Sequence, residues 1–411
     1  MLADLLRQCL TDLRAHLGRT ALALLGIVWG TASVIMLVAY GTGLRDSLVE
    51  QASSGGRQML AFFPGRSTSG VGANRGGREI KLKPEDARLL AEQIPALEHV
   101  SGGIIWWGGV YVRRGANYRR VATLGLEPDA AAIMELSPAD GRWFSVRDLA
   151  HRERVVVLGA ELKQQLFGSH NAVGERLEVN GVGYTVIGVL AKKGDQISSL
   201  GPPDDYKLLV PLTTFQALMS GNDEINFIAV KPRRATEHVA VETQVRKVLG
   251  TRHAFAADDR DALSVFDVMN FVDLFRNLTN AVRLFSSIVG VVTLTIGGVA
   301  VMNIMLLAVS ERSREIGLRQ AVGASRVDIL RQFLAEGLVM TAGGGAIGMG
   351  LGWALCHGMA VTTASGTYAA AYLSSAIIFT TIGLIGLVGL LATIWPAMRA
   401  ANLDPAEALR Q

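Results

Sequence analysis

Residues 284–310 read LFSSIVGVVTLTIGGVAVMNIMLLAVS and contain no Asp, Glu, Lys or Arg. A helix needs about 20 apolar residues to cross the hydrocarbon core of a bilayer, so this stretch is long enough to span one. Three further stretches without charge reach the same length, and they cover residues 20–44, 337–373 and 374–398. The four stretches predict an α-helical membrane protein with four spanning helices.

Charged residues make up 18% of the 411 residues, against roughly 25% in an average soluble chain. Between Arg45 and Arg283 the runs without charge are too short or too polar to span a membrane. This segment contains neither of the two cysteines, Cys9 and Cys356. It must therefore fold on a hydrophobic core rather than on disulfides, and it is large enough for two lobes.

Arginines in the short segments predict the orientation of the spans. Loops that stay in the cytoplasm carry an excess of Lys and Arg. With four spans, the arginine-bearing segments all fall on one side, and they hold Arg7, Arg14, Arg19, Arg312, Arg314, Arg319, Arg326, Arg331, Arg399 and Arg410. Both termini are therefore expected in the cytoplasm, and segment 45–283 outside it.

The stretch 20–44 has two possible interpretations, a cleaved signal peptide and a membrane anchor. Its apolar run is longer than the roughly 7–15 residues of a signal core, so we interpret it as an anchor. The expected organisation is a cytoplasmic amphipathic helix 1–19, spans 20–44, 284–310, 333–361 and 374–396, an outer domain 45–283, a cytoplasmic loop 311–332, a short outer loop 362–373 and a cytoplasmic tail 397–411.

The outer domain is predicted to be α+β. A strand over 58–64 and a helix starting at Pro84 are followed by a region, about 100–215, that is rich in strand signals. Asn180-Gly181 is a strong hairpin signal within it. A strand over 225–232 and a helix over 236–249 then follow. This order predicts an α/β lobe with an inserted β-rich lobe, and the Gly- and Ser-rich segment Gly65–Gly77 predicts a mobile loop.

A heptad seam precedes the second span, with apolar residues spaced 3, 4, 3, 4, 3: Val268, Phe271, Phe275, Leu278, Val282 and Phe285. Two interpretations stay open. The helix lies on the core of the outer domain as an ordinary amphipathic helix, or it forms a rigid stalk against the segment after the first span.

Several kinds of chemistry find no support in the sequence. It has no Gly-Lys pair, hence no P-loop, and no HExxH motif. We expect no catalytic residue, no metal site, no bound cofactor and no nucleic-acid partner.

Gly343 to Gly348 fits GxGxxG inside an apolar span, where helix packing is the better interpretation: Gly344, Gly348 and Gly352 repeat every fourth residue, as do Gly26 and Gly30. Asn303 is expected to bond another helix.

The cytoplasmic loop reads ERSREIGLRQAVGASRVDILRQFLAEG over residues 311–337. A charged helix is predicted from Glu311 to Val322 as a continuation of the second span, with Gly323 ending it in a left-handed conformation. Ser325 and Asp328 form a capping box that starts the next helix, and Glu336 is expected at the membrane interface. Such a turn is either a lipid-headgroup clamp or a protein-docking element, and the first interpretation leaves its glutamates unexplained.

This loop resembles the signature of the MacB/FtsX/LolC-type permeases of ABC transporters. The tail resembles it too, through Pro396-Ala397, Arg399-Ala400-Ala401 and Asp404-Pro405-Ala406-Glu407-Ala408-Leu409-Arg410. Further similar stretches are RVVVLGAELKQQLFG and YTVIGVL in the outer domain. Asp404, Pro405 and Glu407 also have the pattern of a capped helix start.

The resemblance implies a homodimeric, non-catalytic permease of the bacterial inner membrane whose outer domain is a MacB-like periplasmic core. ATP and Mg would be bound by a dimeric cytoplasmic ATPase, expected as a separate polypeptide. Membrane lipids and a second copy are further expected partners, and an adaptor protein and outer-membrane channel stay open. The resemblance assigns coupling to the ATPase to Glu311, Arg312, Arg314, Glu315, Ile316, Gly317, Arg319, Gly323, Ser325, Arg326 and Asp328.

The leading functional hypothesis is export of a periplasmic or cell-surface cargo, such as a drug, peptide or lipid-linked molecule, by mechanotransmission. The first alternative is an FtsX-like signalling permease that activates a cell-wall hydrolase. The second is a lipoprotein-releasing permease. The size of the outer domain favours export.

Overall fold

The computed structural model describes residues 17–68, 77–362 and 375–408. They form two compact units, an α/β unit over Leu48–Phe275 and a helical unit made of the described parts of 1–47 and 276–411. Cys9 and most of the expected helix 1–19, the centre of loop 65–77, and nearly all of loop 362–373 lie outside the described residues.

The main helices in chain order are α1 (Leu17–Ser53), α2 (Pro84–Gln93), α3 (Ala160–Phe167), α4 (His238–His253), α5 (Val268–Glu311), α6 (Ser313–Ala321), α7 (Arg326–Thr362), α8 (Ser375–Ala401) and α9 (Pro405–Ala408). Shorter helical segments are Ala130–Ile133, Val146–Ala150, Asp204–Tyr206, Leu212–Phe215, Gln216–Ser220 and Ala235–Glu237.

Four of these helices are long and apolar enough to cross a membrane, namely α1, α5, α7 and α8. Each coincides, over the described residues, with one of the stretches without charge that predict a span. Helix α5 is the longest at 44 residues, so the span expected at 284–310 is only its C-terminal part.

Glycines in the helical unit allow the helices to approach closely. A Cβ atom added at Gly26 would lie 3.1 Å from Cα of Gly297, so α1 and α5 meet backbone to backbone. Gly344, Gly348 and Gly352 of α7 face the stretch of α1 from Leu24 to Ile35 in the same way. The prediction that these glycines serve helix packing is confirmed, and the GxGxxG match lies inside a helix.

The α/β unit is built on one ten-stranded sheet. Its strands are β1 (Leu60–Pro64), β2 (Leu97–Arg114), β3 (Asn117–Leu126), β4 (Pro138–Gly141), β5 (Val155–Leu158), β6 (Arg176–Val179), β7 (Val182–Leu190), β8 (Leu208–Pro211), β9 (Phe227–Pro232) and β10 (Leu263–Asp267). The order is β10-β1-β9-β2-β3-β8-β5-β7-β4, with β6 paired to both β2 and β7.

The long strand β2 joins the two expected lobes. Residues 97–103 of β2 pair with β9, and residues 103–114 pair with β3. Val112 and Arg113 also pair with β6 on the other side. The strands of the β-rich region are thereby hydrogen-bonded into the same sheet as those of the α/β lobe. Alternate residues of the strands point to two separate hydrophobic clusters, as the period of two in a strand requires.

Two hairpins follow from turn residues in the sequence. Asn180 and Gly181 both have positive φ, 49° and 82°, between the paired residues Val179 and Val182. Two positive φ angles define the type I′ turn that matches strand twist, so the hairpin predicted here is confirmed. The β2–β3 turn places Gly115 at a φ of 58°.

A buried ionic cluster closes the α/β unit next to the end of α1. Nζ of Lys207 lies 2.7 Å from Asp204 Oδ1, and Nζ of Lys193 lies 3.0 Å from Oδ2 of the same carboxylate. The Lys207 side chain is only 1% exposed. Lys193 also donates to the carbonyl oxygens of Ser54 and Met134, at 3.0 and 2.7 Å.

Burial and charge oppose each other in this cluster. Burial pushes the pKa of Asp204 up, but the attraction of Lys207 and Lys193 outweighs it and sets the pKa at about 2. Burial lowers the pKa of Lys207, and Asp204 opposes that shift. Removing one partner of a buried ion pair leaves an uncompensated charge, which makes Asp204 the residue on which the cluster depends.

We expect Asp204→Asn to destabilise the protein by about 3–5 kcal/mol, because two lysines lose their counter-charge. Denaturant titration of the detergent-solubilised chain measures this loss. Since the folded pKa of Asp204 lies below its ordinary value of about 4, its contribution is present above that pH and is lost as the pH falls towards 2.

The matched control is Asp223→Asn, which removes an exposed pair with Lys83 and should leave the unfolding midpoint unchanged. Equal effects of the two substitutions would show that Asp204 carries no net charge interaction.

Candidate coupling site

The loop from residue 311 to 332 forms a helical hairpin, which we call the coupling hairpin. Helix α5 ends at Glu311, and Arg312 leaves helical geometry with φ −106° and ψ 15°. The helix predicted from Glu311 to Val322 is therefore interrupted at Arg312 and resumes as α6 at Ser313, although the Arg312 N–H still donates to the Ala308 carbonyl at 3.1 Å. At this break the Nη1 atom of Arg312 lies 3.2 Å from Glu336 Oε1 on α7.

Glu336, which is expected at the membrane interface, takes part in this ion pair. Its side chain is 12% exposed and is engaged by Arg312. The ion pair joins the start of α6 to α7 at the base of the coupling hairpin. Because both groups are partly buried, water screens this pair less than it would screen a surface pair.

The turn of the coupling hairpin has the geometry that the sequence predicts. Gly323 has a φ of 110°. The N–H of Ala324 donates to the Arg319 carbonyl at 2.9 Å, and the N–H of Gly323 donates to the Gln320 carbonyl at 3.1 Å. These two bonds form a Schellman motif, which satisfies carbonyls that a helix end leaves unpaired.

The next helix starts with the predicted capping box. The Ser325 N–H donates to Asp328 Oδ2 at 3.2 Å, and the Asp328 N–H donates to Ser325 Oγ at 3.3 Å. The bonds from Ser325 lower the pKa of the Asp328 carboxyl. The chain thus reverses direction between α6 and α7 within a few residues, all of which are held by hydrogen bonds.

The charged residues of the coupling hairpin fall into two groups. Nη2 of Arg319 lies 2.5 Å from Glu315 Oε1, one helical turn earlier, and its Nη1 donates to Gln332 on α7 at 2.8 Å. Arg314 and Arg326 are exposed. Charges of the first group hold the two helices together, and the second group is available to a partner.

The tail contacts the coupling hairpin, which sequence reasoning missed. A Cβ atom added at Gly317 of α6 would lie 2.7 Å from the Ala408 Cβ atom of α9. The Gln320 side chain donates to the Ala401 carbonyl at 3.2 Å. Ile316 is buried in a cluster with Phe333 of α7. The two stretches that resemble the permease signature are therefore packed on each other.

An exposed apolar tip is the second feature that the sequence analysis missed. Leu318 is 56% exposed, Val322 83% and Val327 50%. Leu318 lies in α6 and Val322 directly follows it, four residues later, and that spacing of two apolar residues was the available signal. A cavity of about 450 Å³ lies beside them, lined also by Ala324 and Asp328.

The structure divides the heptad seam of α5 into two parts. Val268 is buried in the core of the α/β unit, Phe275 packs against that core, and Phe271 contacts Phe275 with ring centroids 6.3 Å apart. Leu278 and Val282 are about half exposed. The first part is thus an amphipathic helix on the domain core, in the same cluster as Ala52 of α1, and the second part is exposed.

The 3-4 spacing continues along α5 beyond the residues that the sequence analysis singled out. After Phe285 it selects Val289, Val292, Ile296, Val299 and Asn303, all of them exposed. Asn303 forms no hydrogen bond among the residues that the structure describes, so its expected bond to another helix of the same chain is not seen.

This architecture is that of an integral membrane permease with a large domain between its first two spans. A model of the MacB-like periplasmic core domain matches residues 20–248, and one of the FtsX-like permease C-terminal region matches residues 287–405. The first match covers more than half of the chain. The chain belongs to the MacB/FtsX-like family of ABC transporter permeases.

Two relatives carry the name macrolide export ATP-binding/permease protein MacB. The protein from Bdellovibrio bacteriovorus is 31% identical over 408 residues, which cover 98% of this chain and 61% of the relative. The protein from Chlorobaculum tepidum is 33% identical over 396 residues, covering 95% and 59%. The chain therefore spans about 60% of the length of the relatives it matches.

Two solved structures are also similar. The periplasmic region of MacB from Actinobacillus actinomycetemcomitans has a TM-score of 0.44 and 20% identity, covering 56% of this chain and 98% of that one. The extracellular domain of the transporter YknZ has a TM-score of 0.41 and 18% identity, covering 51% and 100%.

Substitutions at the turn should loosen the coupling hairpin in a graded way. Ser325→Ala removes one cap at a cost of about 1 kcal/mol. Gly323→Val should cost about 1–2 kcal/mol or more, because a β-branched residue resists positive φ. Hydrogen exchange of the amides in 313–330, measured on the chain in nanodiscs, should speed up in that order.

Gly343→Ala is the control, because this α7 glycine has open space around its Cβ position and alanine favours the helix. Unchanged exchange in Gly323→Val would mean that packing alone holds the turn.

Proposed function

We propose that this chain is the permease subunit of a MacB-type exporter. A cytoplasmic ATPase binds the coupling hairpin, and its ATP-driven movements pass through α5 to the outer domain, which acts on cargo outside the membrane. The observation that carries the proposal is the rigidly built hairpin with an exposed apolar tip. ATP and Mg belong to the ATPase.

The tip has the composition of a docking element. Leu318, Val322 and Val327 offer apolar area, and Arg314 and Arg326 stand beside it as exposed guanidinium groups. Protein interfaces combine an apolar centre with a polar rim, and arginine is enriched in them. A lipid-headgroup clamp explains the arginines but not the neighbouring ion pair of Glu315 and Arg319, which favours a protein partner.

Helix α5 supplies a direct mechanical route. It starts at Val268 in the α/β unit and ends at Glu311 without interruption, and 44 helical residues measure about 66 Å. Its N-terminus is fixed by Asp267, whose Oδ1 accepts the Met269 N–H at 2.8 Å and whose Oδ2 lies 2.7 Å from Nδ1 of His238 on α4. A displacement of the hairpin would therefore reach the domain core through one element.

A second copy of the chain is supported by the exposed part of the seam. Heptad spacing from Leu278 to Asn303 is the pattern by which helices pair, and a polar Asn at one seam position fixes register. The apolar side chains of this part of the seam are exposed in a single chain. We therefore include a homodimer, paired along α5, in the proposal.

The proposal places both termini in the cytoplasm and the cargo outside. The spans lack Asp, Glu, Lys and Arg at their centres, and a polar route through a membrane normally contains ionisable residues. Cargo such as a drug, peptide or lipid-linked molecule would then be moved by the outer domain and would not pass between the helices.

The coupling role is tested by reversing charges that the structure pairs. Glu315→Arg and Arg319→Glu each break the pair within α6, while the double substitution restores a pair but inverts the surface presented to a partner. All three should weaken ATPase stimulation and pull-down of the co-expressed ATPase. Val322→Asp should do the same, because it puts a charge at the apolar tip.

Val146→Asp is the control, since Val146 is equally exposed but lies in the α/β unit. Full stimulation by the double substitution would show that only the stability of α6 matters, and full stimulation by Val322→Asp would remove the tip from the interface.

The homodimer is tested by disulfide cross-linking in membranes, in a chain with Cys9→Ser and Cys356→Ala. A cysteine at Val282, on the seam, should form a disulfide-linked dimer on mild oxidation. A cysteine at Leu284 should not, because this residue is even more exposed, 64% against 47% for Val282, but lies on another face of α5. Equal cross-linking at both positions, or none at Val282, would contradict pairing through this seam.

A further inference from the structure

Two adjoining cavities in the α/β unit are each lined by three arginines. One, of about 360 Å³, is lined by Arg113, Arg114 and Glu178 among others. The other, of about 560 Å³, is lined by Arg152, Glu153, Arg154 and Tyr184. Arg176 and Gly183 line both. We call this surface the arginine cleft, defined by Arg113, Arg114, Arg152, Arg154 and Arg176.

Two of the five arginines are held in place by the fold. Arg113 donates to Glu178 Oε2 through Nε at 2.8 Å and through Nη2 at 2.6 Å. The Arg114 guanidinium lies 4.0 Å from the ring centre of Phe167 and donates to the Leu166 carbonyl at 3.3 Å. These side chains form a pre-organised wall, so little conformational entropy is lost when they meet a ligand.

The other three arginines are uncompensated. Arg152, Arg154 and Arg176 are exposed, and among the residues that the structure describes none accepts a hydrogen bond from their guanidinium groups or pairs with them. The carboxylates nearby are Glu153, Glu178 and Glu175, the last 4.0 Å from Arg114. Five arginines against three glutamates leave an excess charge of two, which repels itself unless an anion neutralises it.

Arg152 occupies a position where the backbone favours glycine. Its φ is 51°, and it follows the short helix Val146–Ala150 in a Schellman motif: the Glu153 N–H donates to the Asp148 carbonyl at 2.9 Å and the Arg152 N–H to that of Leu149 at 3.2 Å. A non-glycine residue in this conformation costs free energy. The strained backbone of Arg152 thus holds a residue that lines the larger cavity of the cleft.

Tyr184 lies beneath the arginine cleft, with its side chain in the hydrophobic core. The residue lines the larger cavity, and its hydroxyl is buried without a hydrogen-bond partner among the described residues. Burial raises the pKa of this hydroxyl, and Arg154 acts in the opposite direction.

We propose that the arginine cleft binds a phosphomonoester group. Guanidinium forks match the oxygens of phosphate, which can accept from several arginines at once. The charge of a phosphomonoester at neutral pH, about −1.5 to −2, equals the excess on the cleft. The cavities also leave room for a body the size of a sugar ring. A phosphorylated glycan and a phospholipid headgroup share this chemistry.

The test is isothermal titration of the full chain in nanodiscs of zwitterionic lipid. Hexose 6-phosphate should bind, and Arg154→Ala and Arg176→Ala should each weaken it about tenfold, the loss of one charge-assisted bond. Arg152→Gly should weaken binding similarly while leaving the thermal unfolding midpoint unchanged or raised, because glycine relieves the backbone strain.

Arg260→Ala is the matched control, an exposed arginine that precedes β10 and does not line the cleft. Binding should strengthen as the pH rises through about 6, where the phosphate loses its second proton, and sulfate binding should not change over that range. A soluble short-chain phosphatidic acid separates the two sources: tighter binding than the hexose phosphate points to a headgroup, weaker binding to a glycan.

Absence of hexose phosphate and phosphatidic acid binding would overturn the proposal, as would binding that survives Arg176→Ala. The experiment involves no ATPase, so its result is independent of the coupling role proposed for the hairpin.

Discussion

An α-helix ends with four backbone groups that it cannot satisfy itself, and the junctions of this protein are the places where other residues satisfy them. At the end of α1 the carbonyl of Gln51 accepts the Ile197 N–H at 3.2 Å, and the carbonyl of Ser54 accepts from Lys193 and from Gln196, each at 3.0 Å. A cation at this end also meets the negative pole of the helix dipole. The helix is thereby held by one segment of the α/β unit.

That attachment depends on a charge elsewhere. Lys193 can stay in its partly buried position because Asp204 neutralises it, and Asp204 is in turn shared with Lys207. A carboxylate between two lysines, with hydrogen bonds from Gln196 and Ser199 as well, meets the condition under which buried charge is tolerated. The contacts at the C-terminal end of α1 and the buried charges of the α/β unit are thus one network.

Local features of the fold and site could be predicted from the sequence, and distant contacts could not. Local geometry depends only on residues that are close in sequence. This holds for the turn at Asn180-Gly181, the helix end at Gly323 and the Ser325–Asp328 capping box. The pair of Arg312 with Glu336 and the contact of Gly317 with Ala408 join residues far apart in sequence. Without knowing which helices meet, no pattern in a single sequence assigns such partners, and the break at Arg312 was missed for that reason.

Two exposed apolar residues, Val322 and Val282, differ from the buried core because no contact among the described residues of one chain accounts for their apolar side chains. Val322 at the hairpin tip and Val282 on the seam of α5 both lie on well-fixed backbone. Val322 directly follows α6 and precedes the glycine of the Schellman motif, and Val282 lies within the uninterrupted helix α5. An apolar side chain on rigid backbone loses little entropy on contact, which is the condition for a strong interface residue. In a bilayer, lipid can cover Val282 but not Val322, since the hairpin carries Arg314, Glu315 and Arg326 around it. The exposed hairpin tip therefore favours a protein partner more strongly than the seam does, and for this reason the proposed function rests on the tip.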